Sequence, residues 1–423
     1  MAEPILIVGA GIAGLATALA LQRRGIDCVV AEAAREIVPL GVGINLLPHG
    51  VRVLAGLDLL PALAEVSVEL RALEFRTAAG RRIHRDPRGR HAGLPWPQLS
   101  IHRGNLQEVL YRSVRQRHGE AVVRCGLRLQ TFESSTQGVT AVFEDRRQGG
   151  TLRLHTPLLI GADGVLSRVR SLLRPQEGPP RPSGIMMARG LTWAAPIGDG
   201  GTMVIQGTAS HKAVLYPIRP PRADGKQLIN WVLESAVPFG PQETGGLADW
   251  NRPLDPQPVA ALFEDLAAED FDLPALVRVA ERCLAYPMVD RDPIPTWVTD
   301  RVALMGDAAH PMYPIGANSA SQALLDAAAL AQAIAALPED LPGALQAYQE
   351  QRLPQANAVV QANRAEGPEA LLALAAQRLA QGPVAEGETL LPADTIAQIL
   401  GDYQRIAGFA PEALGARPDS AAC

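Results

Sequence analysis

The first 32 residues contain the feature that most restricts the fold, a glycine-rich turn between an apolar strand and a helix. Residues 5–8 form a short, fully apolar run, which is typical of a buried parallel strand. Three glycines follow within six residues, and residues 15–24 are rich in Ala and Leu, which favours a helix. A second apolar run, residues 28–31, ends at Glu32. This order predicts the first βαβ unit of an α/β domain with a Rossmann-like sheet.

The glycine turn has the chemistry of a dinucleotide site. Gly9 permits a tight turn, Gly11 lets the backbone approach a pyrophosphate, and Gly14 lets the helix pack closely on the strand. The helix N-terminus offers free N–H groups to phosphate, and Glu32 follows where a carboxylate binds ribose hydroxyls. An ordinary βαβ turn without a ligand is the alternative. The candidate dinucleotide-binding residues are Gly9, Gly11, Ile12, Ala13, Gly14 and Glu32.

Two later apolar strands lead into carboxylates. Residues 158–160 run into Asp163, and residues 301–305 run into Asp307. Because the carboxyl ends of parallel strands meet at one edge of a sheet, we expect both aspartates near the glycine turn. His310 follows closely, and we expect a structural rather than a catalytic role for it, because the sequence indicates no partner.

Charge and cysteine usage exclude several classes of protein. The net charge of −5, from 39 basic and 44 acidic residues, argues against a nucleic-acid surface. The four cysteines are far apart and lack metal-ligand spacing, so we predict a reduced, cytoplasmic protein without a metal site. The apolar stretch over residues 5–21 is interrupted by glycines and lacks a basic segment before it, so we predict neither a signal peptide nor a membrane span.

The rest of the chain predicts two further regions. Residues 184–234 alternate as antiparallel strands with one covered face, and the C-terminal part is rich in helix formers. Tyr216 and Trp231, on predicted strands, are candidates to line a substrate site, although strand aromatics are more often core. The predicted domains are residues 1–72, 98–178 and 284–345 for dinucleotide binding, 73–97 and 179–283 for a substrate-binding sheet, and 346–423 for C-terminal helices.

Three motifs in this order resemble the single-component FAD-dependent aromatic hydroxylases, the family of para-hydroxybenzoate and salicylate hydroxylase. They are the glycine turn with Glu32, the segment Asp163-Gly164-x-x-Ser167-x-x-Arg170, and the segment Gly306-Asp307-Ala308-Ala309-His310. Residues 39–45, 100–104, 286–293 and 313–318 narrow the resemblance to the phenazine hydroxylase branch of pyocyanin formation. Members of that branch hydroxylate a phenazine carboxylate with loss of its carboxyl group.

The resemblance implies a Rossmann-like FAD-binding domain with an inserted antiparallel β-sheet substrate domain and C-terminal helices. It implies non-covalent FAD, NADH or NADPH as reductant, and O2. A flavin C4a-hydroperoxide would then hydroxylate an electron-rich aromatic or fused heteroaromatic substrate, with or without decarboxylation. The protein would be a monomer or a homodimer without a nucleic-acid or membrane partner.

The resemblance also implies roles for single residues around the FAD. Glu32 would bind the adenosine ribose, and Leu127 would lie near the adenine. Arg103 and Asp307 would hold the ribityl and phosphate region, and Asp163 would join a cofactor network that also serves the nicotinamide. By its sequence position alone, Arg103 is equally well an ordinary surface charge.

The remaining implied roles concern the flavin ring. Gly43 would lie against the isoalloxazine, and Pro314 would border the place where oxygen adds. A helix beginning at Gly316, Ala317 and Asn318 would aim its positive end at the flavin pyrimidine. The usual family pattern after the proline is Gly-Gln-Gly-x-Asn, from which these residues depart. A ligand-free loop around Gly43 and a simple N-cap role for Asn318 are the alternatives.

Other functions stay compatible with the sequence. They are a flavin oxidase or reductase of the same fold, a flavin-binding redox sensor without a small substrate, and an NAD-dependent dehydrogenase. No Ser/His/Asp or metal-ligand pattern is evident, which agrees with chemistry carried by a bound cofactor.

Overall fold

The computed structural model describes residues 3–39, 41–239, 252–266, 268–385 and 387–415. Parts of the predicted ranges lie outside the described residues, namely residues 1–2, residue 40, residues 240–251, residue 267, residue 386 and residues 416–423 with Cys423.

The described residues form the following secondary structure. The strands are β1 (Ile5–Val8), β2 (Cys28–Glu32), β3 (Gly43–Leu46), β4 (Ser67–Leu70), β5 (Ala72–Arg76), β6 (Arg82–Pro87), β7 (Gln98–His102), β8 (Val123–Cys125), β9 (Leu127–Ser135), β10 (Gly138–Asp145), β11 (Thr151–Thr156), β12 (Leu159–Gly161), β13 (Arg181–Ala194), β14 (Thr202–Gly207), β15 (His211–Pro217), β16 (Gln227–Ser235), β17 (Arg252–Pro253), β18 (Arg282–Asp290) and β19 (Val302–Leu304). The α-helices are α1 (Ile12–Gln22), α2 (Pro48–Gly56), α3 (Leu60–Ala64), α4 (Arg103–His118), α5 (Arg168–Leu173), α6 (Pro256–Ala261), α7 (Leu273–Arg278), α8 (Ser319–Ala336), α9 (Leu341–Arg364), α10 (Ala370–Ala380), α11 (Ala393–Ala407) and α12 (Pro411–Leu414).

A parallel sheet carries the three strand-end motifs. Its strand order is β19-β12-β1-β2-β8, and each neighbouring pair is parallel. Val8 pairs with Gly161, which pairs in turn with Leu304, so the three motifs leave the sheet side by side. The strands are almost wholly buried, as their continuous apolar runs predict. The predicted meeting of the motifs at one sheet edge is confirmed.

A second, larger sheet is built from residues inserted between these motifs. Its order is β17-β18-β13-β16-β15-β14-β5-β6, antiparallel throughout except for the parallel pair β14–β5. Smaller antiparallel sheets, β11-β10-β9 and β3-β7-β4, complete the strands of the described residues. The predicted class, a Rossmann-like α/β domain with an inserted, mainly antiparallel sheet and C-terminal helices, is confirmed.

The predicted domain boundaries differ from the structure at two places. Residues 284–290, which we assigned to dinucleotide binding, belong to β18 and pair with β13 of the large sheet. The boundary at residues 345–346 falls inside α9. Residues 286–297 are Pro-rich, and because proline cannot donate a hydrogen bond within a sheet, the sequence indicated an extended return rather than a strand of the large sheet.

Two of the C-terminal helices, α10 and α11, pack on the large sheet. Leu371, Leu372 and Leu400 belong to the same buried cluster as Ile205, Val232 and other residues of the large sheet. In the part of the chain that the structure describes, no helix is both long enough and apolar enough to span a membrane.

Candidate active site

Two adjoining cavities lie at the carboxyl edge of the parallel sheet. The edge cavity, of about 610 Å³, extends along the ends of β1 and β2. The sheet cavity, of about 370 Å³, lies between this edge and the large sheet. Gly11, Arg103, Ala162 and Gly164 line both cavities, so the two form one cleft.

Most of the predicted site residues line this cleft. The edge cavity contains Gly9, Gly11, Glu32, Arg103, Leu127 and Asp163. The sheet cavity contains Gly11, Ile12, Ala13, Arg103, Asp307, Pro314, Gly316, Ala317, Asn318 and the predicted substrate residue Tyr216. Gly14, Gly43 and Trp231 line neither cavity.

The three glycines of the first turn serve different purposes. Gly9 has φ +106°, and a Cβ there would lie 2.5 Å from the carbonyl oxygen of Ala162. A Cβ on Gly14 would collide with the Gly9 carbonyl, so this glycine allows the close packing of α1 on β1. A Cβ on Gly11 would meet nothing within 4 Å. Gly11 therefore faces open space in the cleft, where a pyrophosphate would need room.

The Glu32 carboxylate is fixed at the end of β2. Its Oε2 accepts a hydrogen bond from the Ala10 N–H and its Oε1 accepts one from the Ala34 N–H, each at 2.8 Å. A carboxylate oxygen has two lone pairs, so each oxygen keeps one for a further donor. The geometry suits a carboxylate that also accepts from ribose hydroxyls.

Asp163 and Ser167 cap the helix that follows the second motif. The Asp163 carboxylate accepts from the Ser167 hydroxyl at 2.5 Å and from the N–H groups of Arg168 and Val169. Burial raises the pKa of Asp163, and these hydrogen bonds oppose the rise. The carboxylate thus stiffens the turn beside the glycine motif.

Arg103 presents a cation to the cleft without a partner in the protein. It is the first residue of α4, and its side chain is exposed and lines both cavities. No hydrogen bond or ion pair links its guanidinium to another residue within the described ranges. A planar cation in this position suits phosphate or ribityl oxygens.

A buried carboxylate, that of Asp326, holds the third strand-end motif, residues 306–310, by hydrogen bonds. Asp326 accepts from the Gly306 N–H at 2.9 Å, from His310 at 2.5 Å and from Arg352 at 2.8 Å. Burial would raise the pKa of Asp326, but the charges of His310 and Arg352 outweigh it and lower this pKa to about 2. His310 is therefore held by a buried carboxylate beside the third motif. Asp307, in contrast, faces the cleft and accepts from the Ser319 hydroxyl at 2.7 Å.

The loop before α8 is held in an unusual backbone conformation. Gly316 has φ +66° and Ala317 has φ +55°, a conformation that costs a non-glycine residue about 1–2 kcal/mol. A Cβ on Gly316 would collide with the Tyr403 hydroxyl. That hydroxyl lies 2.8 Å from Asn363 Oδ1 and 3.3 Å from the Ile315 carbonyl. The C-terminal helix α11 thereby fixes the entrance of α8.

Asn318 is buried at the start of α8 but does not cap it. Its side chain accepts no hydrogen bond from the helix backbone, and its Oδ1 instead accepts from Gln322 at 3.1 Å. The His49 ring and the Tyr403 hydroxyl also lie within hydrogen-bonding reach of this side chain. The structure thus removes the side-chain N-cap alternative and leaves a buried donor beside the sheet cavity.

Gly43 is required for a different reason from the predicted one. Its Cβ would lie 2.7 Å from the side chain of Asn230, whose Oδ1 accepts from the Gly43 N–H at 2.6 Å. The Gly43 carbonyl accepts from the Tyr216 hydroxyl at 2.8 Å and from Arg189 at 3.0 Å. Close packing against the large sheet, rather than open space for a ring, is what the structure shows at this glycine.

Strand alternation separates the two predicted substrate aromatics. Tyr216 lines the sheet cavity, whereas Trp231 is fully buried on the opposite face of the large sheet. The indole Nε1 of Trp231 donates to the Thr192 hydroxyl at 3.1 Å. Trp231 is thus a core residue and not a substrate residue.

Sequence reasoning missed the contribution of α11 to the sheet cavity. Leu400, Tyr403 and Gln404 line it, as does Phe409 directly after the helix. The apolar spacing of Ile396, Leu400, Tyr403 and Ala407 was visible in the sequence, but it indicates only a buried helix face.

Comparisons with known proteins agree with this geometry. The family described as FAD binding domain matches residues 3–363. Phenazine 1,6-dicarboxylic acid hydroxylase PhzS from Lysobacter antibioticus is 43% identical over 364 residues, covering 85% of this chain and 89% of the relative. The 3-amino-4-hydroxybenzoate 2-monooxygenase of Streptomyces cremeus is 35% identical, covering 83% of each protein. The chain belongs to the FAD-dependent aromatic hydroxylases.

A solved member of this structural group supports the fold. Klebsiella pneumoniae HpxO in complex with FAD and uric acid superimposes with a TM-score of 0.71 at 23% identity, covering 97% of this chain and 94% of HpxO. Family membership confirms the predicted enzyme class and FAD as the cofactor.

The residues present fit an FAD. The cleft offers open space at Gly11, an unpaired cation at Arg103 and the N-terminus of an 18-residue helix, α8. The buried Asn318 side chain adds a polar group to the lining of the sheet cavity. Phosphate, ribityl and pyrimidine oxygens are acceptors that such groups bind.

Proposed function

We propose that this flavoenzyme uses NADH or NADPH and O2 to insert one oxygen atom into a fused aromatic carboxylic acid, with a phenazine carboxylate as the first choice. The observation that carries the proposal is the sheet cavity, which is mostly apolar and continuous with the FAD cleft. Its volume of about 370 Å³ lies within the range of small-molecule sites. The relatives named for phenazine and aminohydroxybenzoate acids support an aromatic acid.

Residues of the edge cavity would hold the cofactor. Glu32 would bind the adenosine ribose beside Leu127, and Arg103 with Asp307 would hold the ribityl and phosphate region. Asp163 would act through the turn that it caps. The positive end of α8, reached through Gly316, Ala317 and Asn318, would face the flavin pyrimidine, where half a unit of helix charge favours an anion.

The FAD supplies hydride acceptance and oxygen activation, and this chain supplies the surroundings. Met203, Ile205, Val214 and Val232 form an apolar floor that excludes water from the substrate ring. Pro314 also borders the cavity, at the entrance of α8. An aromatic ring would lie between these two surfaces.

Arg189 is the group best placed to bind the substrate carboxylate. It lines the sheet cavity, and its guanidinium donates to the neutral carbonyl of Gly43 and lies over the Tyr286 ring. No ion pair joins it to a carboxylate in the described part of the chain, and its Nε has no hydrogen-bond partner there. A substrate carboxylate would supply the missing charge, with a bond of the strong, charge-assisted type.

A panel of aromatic acids tests the proposal. Phenazine-1-carboxylate, salicylate, 3-amino-4-hydroxybenzoate and 4-hydroxybenzoate would each be incubated with the holoenzyme and NADH or NADPH. We expect at least one fused-ring acid to stimulate reductant oxidation and to yield a hydroxylated product by mass spectrometry. Reductant oxidation coupled only to hydrogen peroxide with every acid would instead indicate an oxidase.

A further inference from the structure

A Glu–Lys–Glu cluster, formed by Glu234, Lys212 and Glu369, stands in the wall of the sheet cavity. Glu234 on β16 lies directly opposite Lys212 on β15. The Lys212 ammonium is 2.8 Å from Glu234 and 2.7 Å from Glu369. All three side chains are more than nine-tenths buried. Charged side chains are almost never fully buried unless they are paired.

The cluster joins two distant parts of the chain. Glu369 ends a short turn, Gly367–Glu369, between α9 and α10. The preceding Glu366 has φ +65°, a backbone conformation that non-glycine residues rarely adopt. The fold therefore brings a second carboxylate to a lysine that already has one.

The cluster has one carboxylate more than it has ammonium groups. Glu234 and Glu369 both line the cavity, and the Oε2 atoms of both share the single Lys212 ammonium. Burial raises the pKa of Glu234, although Lys212 opposes the rise. A buried carboxylate that lacks a full partner is unfavourable unless a ligand or a proton matches it.

The opposite charge lies a short distance away on the same face. Glu234 pairs with Met187 across β16 and β13, and Arg189 follows two residues later on β13. Diagonal neighbours of this kind are about 7–8 Å apart. The floor of the cavity therefore has a positive pole at Arg189 and a negative pole at the Glu–Lys–Glu cluster.

We infer that the substrate is a dipolar aromatic acid, with one carboxylate at Arg189 and a hydrogen-bond donor or cationic nitrogen at Glu234 and Glu369. This inference deepens the proposed function and rests on it for the ring and its carboxylate. The negative pole accepts an N–H or O–H and repels a second carboxylate. An aromatic acid that also carries an amino group, a hydroxyl group or a protonated ring nitrogen matches the two poles.

The test compares ligands that differ only in the group at the negative pole. Phenazine-1-carboxylate would be used with hydrogen, an amino group or a second carboxylate at position 6. Benzoate, 3-aminobenzoate and isophthalate provide the same comparison on a single ring. Dissociation constants would be measured with the oxidised holoenzyme from the change in flavin absorbance, without turnover.

We expect the amino compound to bind most tightly and the dicarboxylate most weakly in at least one series. The spread, meaning the ratio of these two dissociation constants, should be about tenfold or more, which is typical of a hydrogen bond to a charged group. Glu234→Gln and Glu369→Gln should each reduce the spread at least fivefold. Glu74→Gln is the matched control, because Glu74 is equally buried and is also ion-paired. Glu74 directly follows Leu73, which lines the cavity, so its side chain lies on the other face of the sheet. It should keep the wild-type spread.

The inference would be overturned by equal affinities in both series, by tightest binding of the dicarboxylates, or by an unchanged spread in Glu234→Gln and Glu369→Gln. Absence of binding by all six compounds would overturn it as well. The proposed function fails separately. If the expected order of affinities holds but none of the bound acids is hydroxylated, the inferred preference for a dipolar acid is supported and the proposed hydroxylation is contradicted.

Discussion

Arg170 donates a hydrogen bond to the carbonyl oxygen of Ala309 at 2.7 Å, and so ties the second strand-end motif to the third. The same nitrogen also donates to the Ala308 carbonyl at 3.1 Å, and the other two guanidinium nitrogens donate to the two carboxylate oxygens of Glu177. Arg170 is 2% exposed, so these bonds are shielded from water. The loop that carries Asp307 is thus set by a residue more than a hundred positions earlier in the chain.

Replacing Arg170 should weaken both the fold and FAD binding. Arg170→Ala leaves two buried carbonyls and Glu177 without their donor, so we expect the free energy of unfolding to fall by about 3 kcal/mol. The measurement is denaturant unfolding with and without excess FAD. Arg174→Ala is the control, because Arg174 makes one long hydrogen bond to Thr296, and it should stay near wild type. Equal stability of the two variants would contradict the assignment.

Arg103→Ala tests the unpaired cation of the cleft. If its guanidinium binds phosphate or ribityl oxygens, the variant should lose about 1.5–3 kcal/mol of FAD affinity, the usual value of a hydrogen bond to a charged group. FAD titration by fluorescence quenching measures this loss. Arg112→Ala, on the exposed side of the same helix α4 and paired with Glu108, should bind FAD like the wild type. FAD affinity unchanged in Arg103→Ala would show an ordinary surface charge.

Glu32→Ala should weaken FAD while leaving the fold intact. The Ala10 and Ala34 N–H groups that it releases lie beside the cleft and the exposed loop, where water can replace the carboxylate. We expect at least a tenfold rise in the FAD dissociation constant, from two lost charge-assisted bonds to ribose. The far-ultraviolet circular dichroism should not change. The FAD affinity of Glu32→Gln, which retains one acceptor oxygen, should lie between those of the wild type and Glu32→Ala. Equal FAD affinity in all three proteins would contradict the assigned role of Glu32.

The sequence was sufficient for those parts of the site that are local to a strand end. Gly9, Asp163 and Asp307 each follow an apolar strand directly, and parallel pairing brings consecutive strand ends to one edge. The fold class could be predicted for the same reason. Periodicity within each segment, together with the family resemblance, already indicated the parallel sheet and the inserted antiparallel sheet.

Features that depend on contacts between distant segments could not be predicted. The partner of Gly43 is Asn230, and the neighbour of Gly316 is Tyr403 on the last long helix. The face on which Trp231 lies depends on the register of β16, which one residue of slip would invert. The ion pair of Lys212 with Glu234 depends on the register of β15 against β16, which the sequence alone does not define.

The buried His49 predicts a loss of stability at mildly acidic pH. Burial, with the nearby charges of Arg352 and Arg52, lowers the pKa of His49 from 6.5 to about 3. The unfolded chain takes up this proton first, so His49 favours folding above about pH 6.5 and progressively less below it. We expect its contribution to fall by about 1.4 kcal/mol per pH unit between about pH 6 and pH 3.

Urea unfolding of the FAD-saturated protein from pH 7 to pH 4.5 measures this effect. His49→Leu removes the titrating group and should flatten the dependence, whereas His91→Gln at an exposed position should retain it. A slope that is the same in His49→Leu and in the wild type would assign the loss to other groups.

Oxygen labelling tests the central claim, that this flavoenzyme inserts one atom of O2 into an aromatic ring. The best acid from the panel would be converted by the holoenzyme under ¹⁸O₂ in ordinary water, and in parallel under ordinary O2 in H₂¹⁸O. We expect one labelled oxygen in the hydroxylated product of the first reaction and none in that of the second. Label arriving from water, or turnover that continues without oxygen, would contradict it.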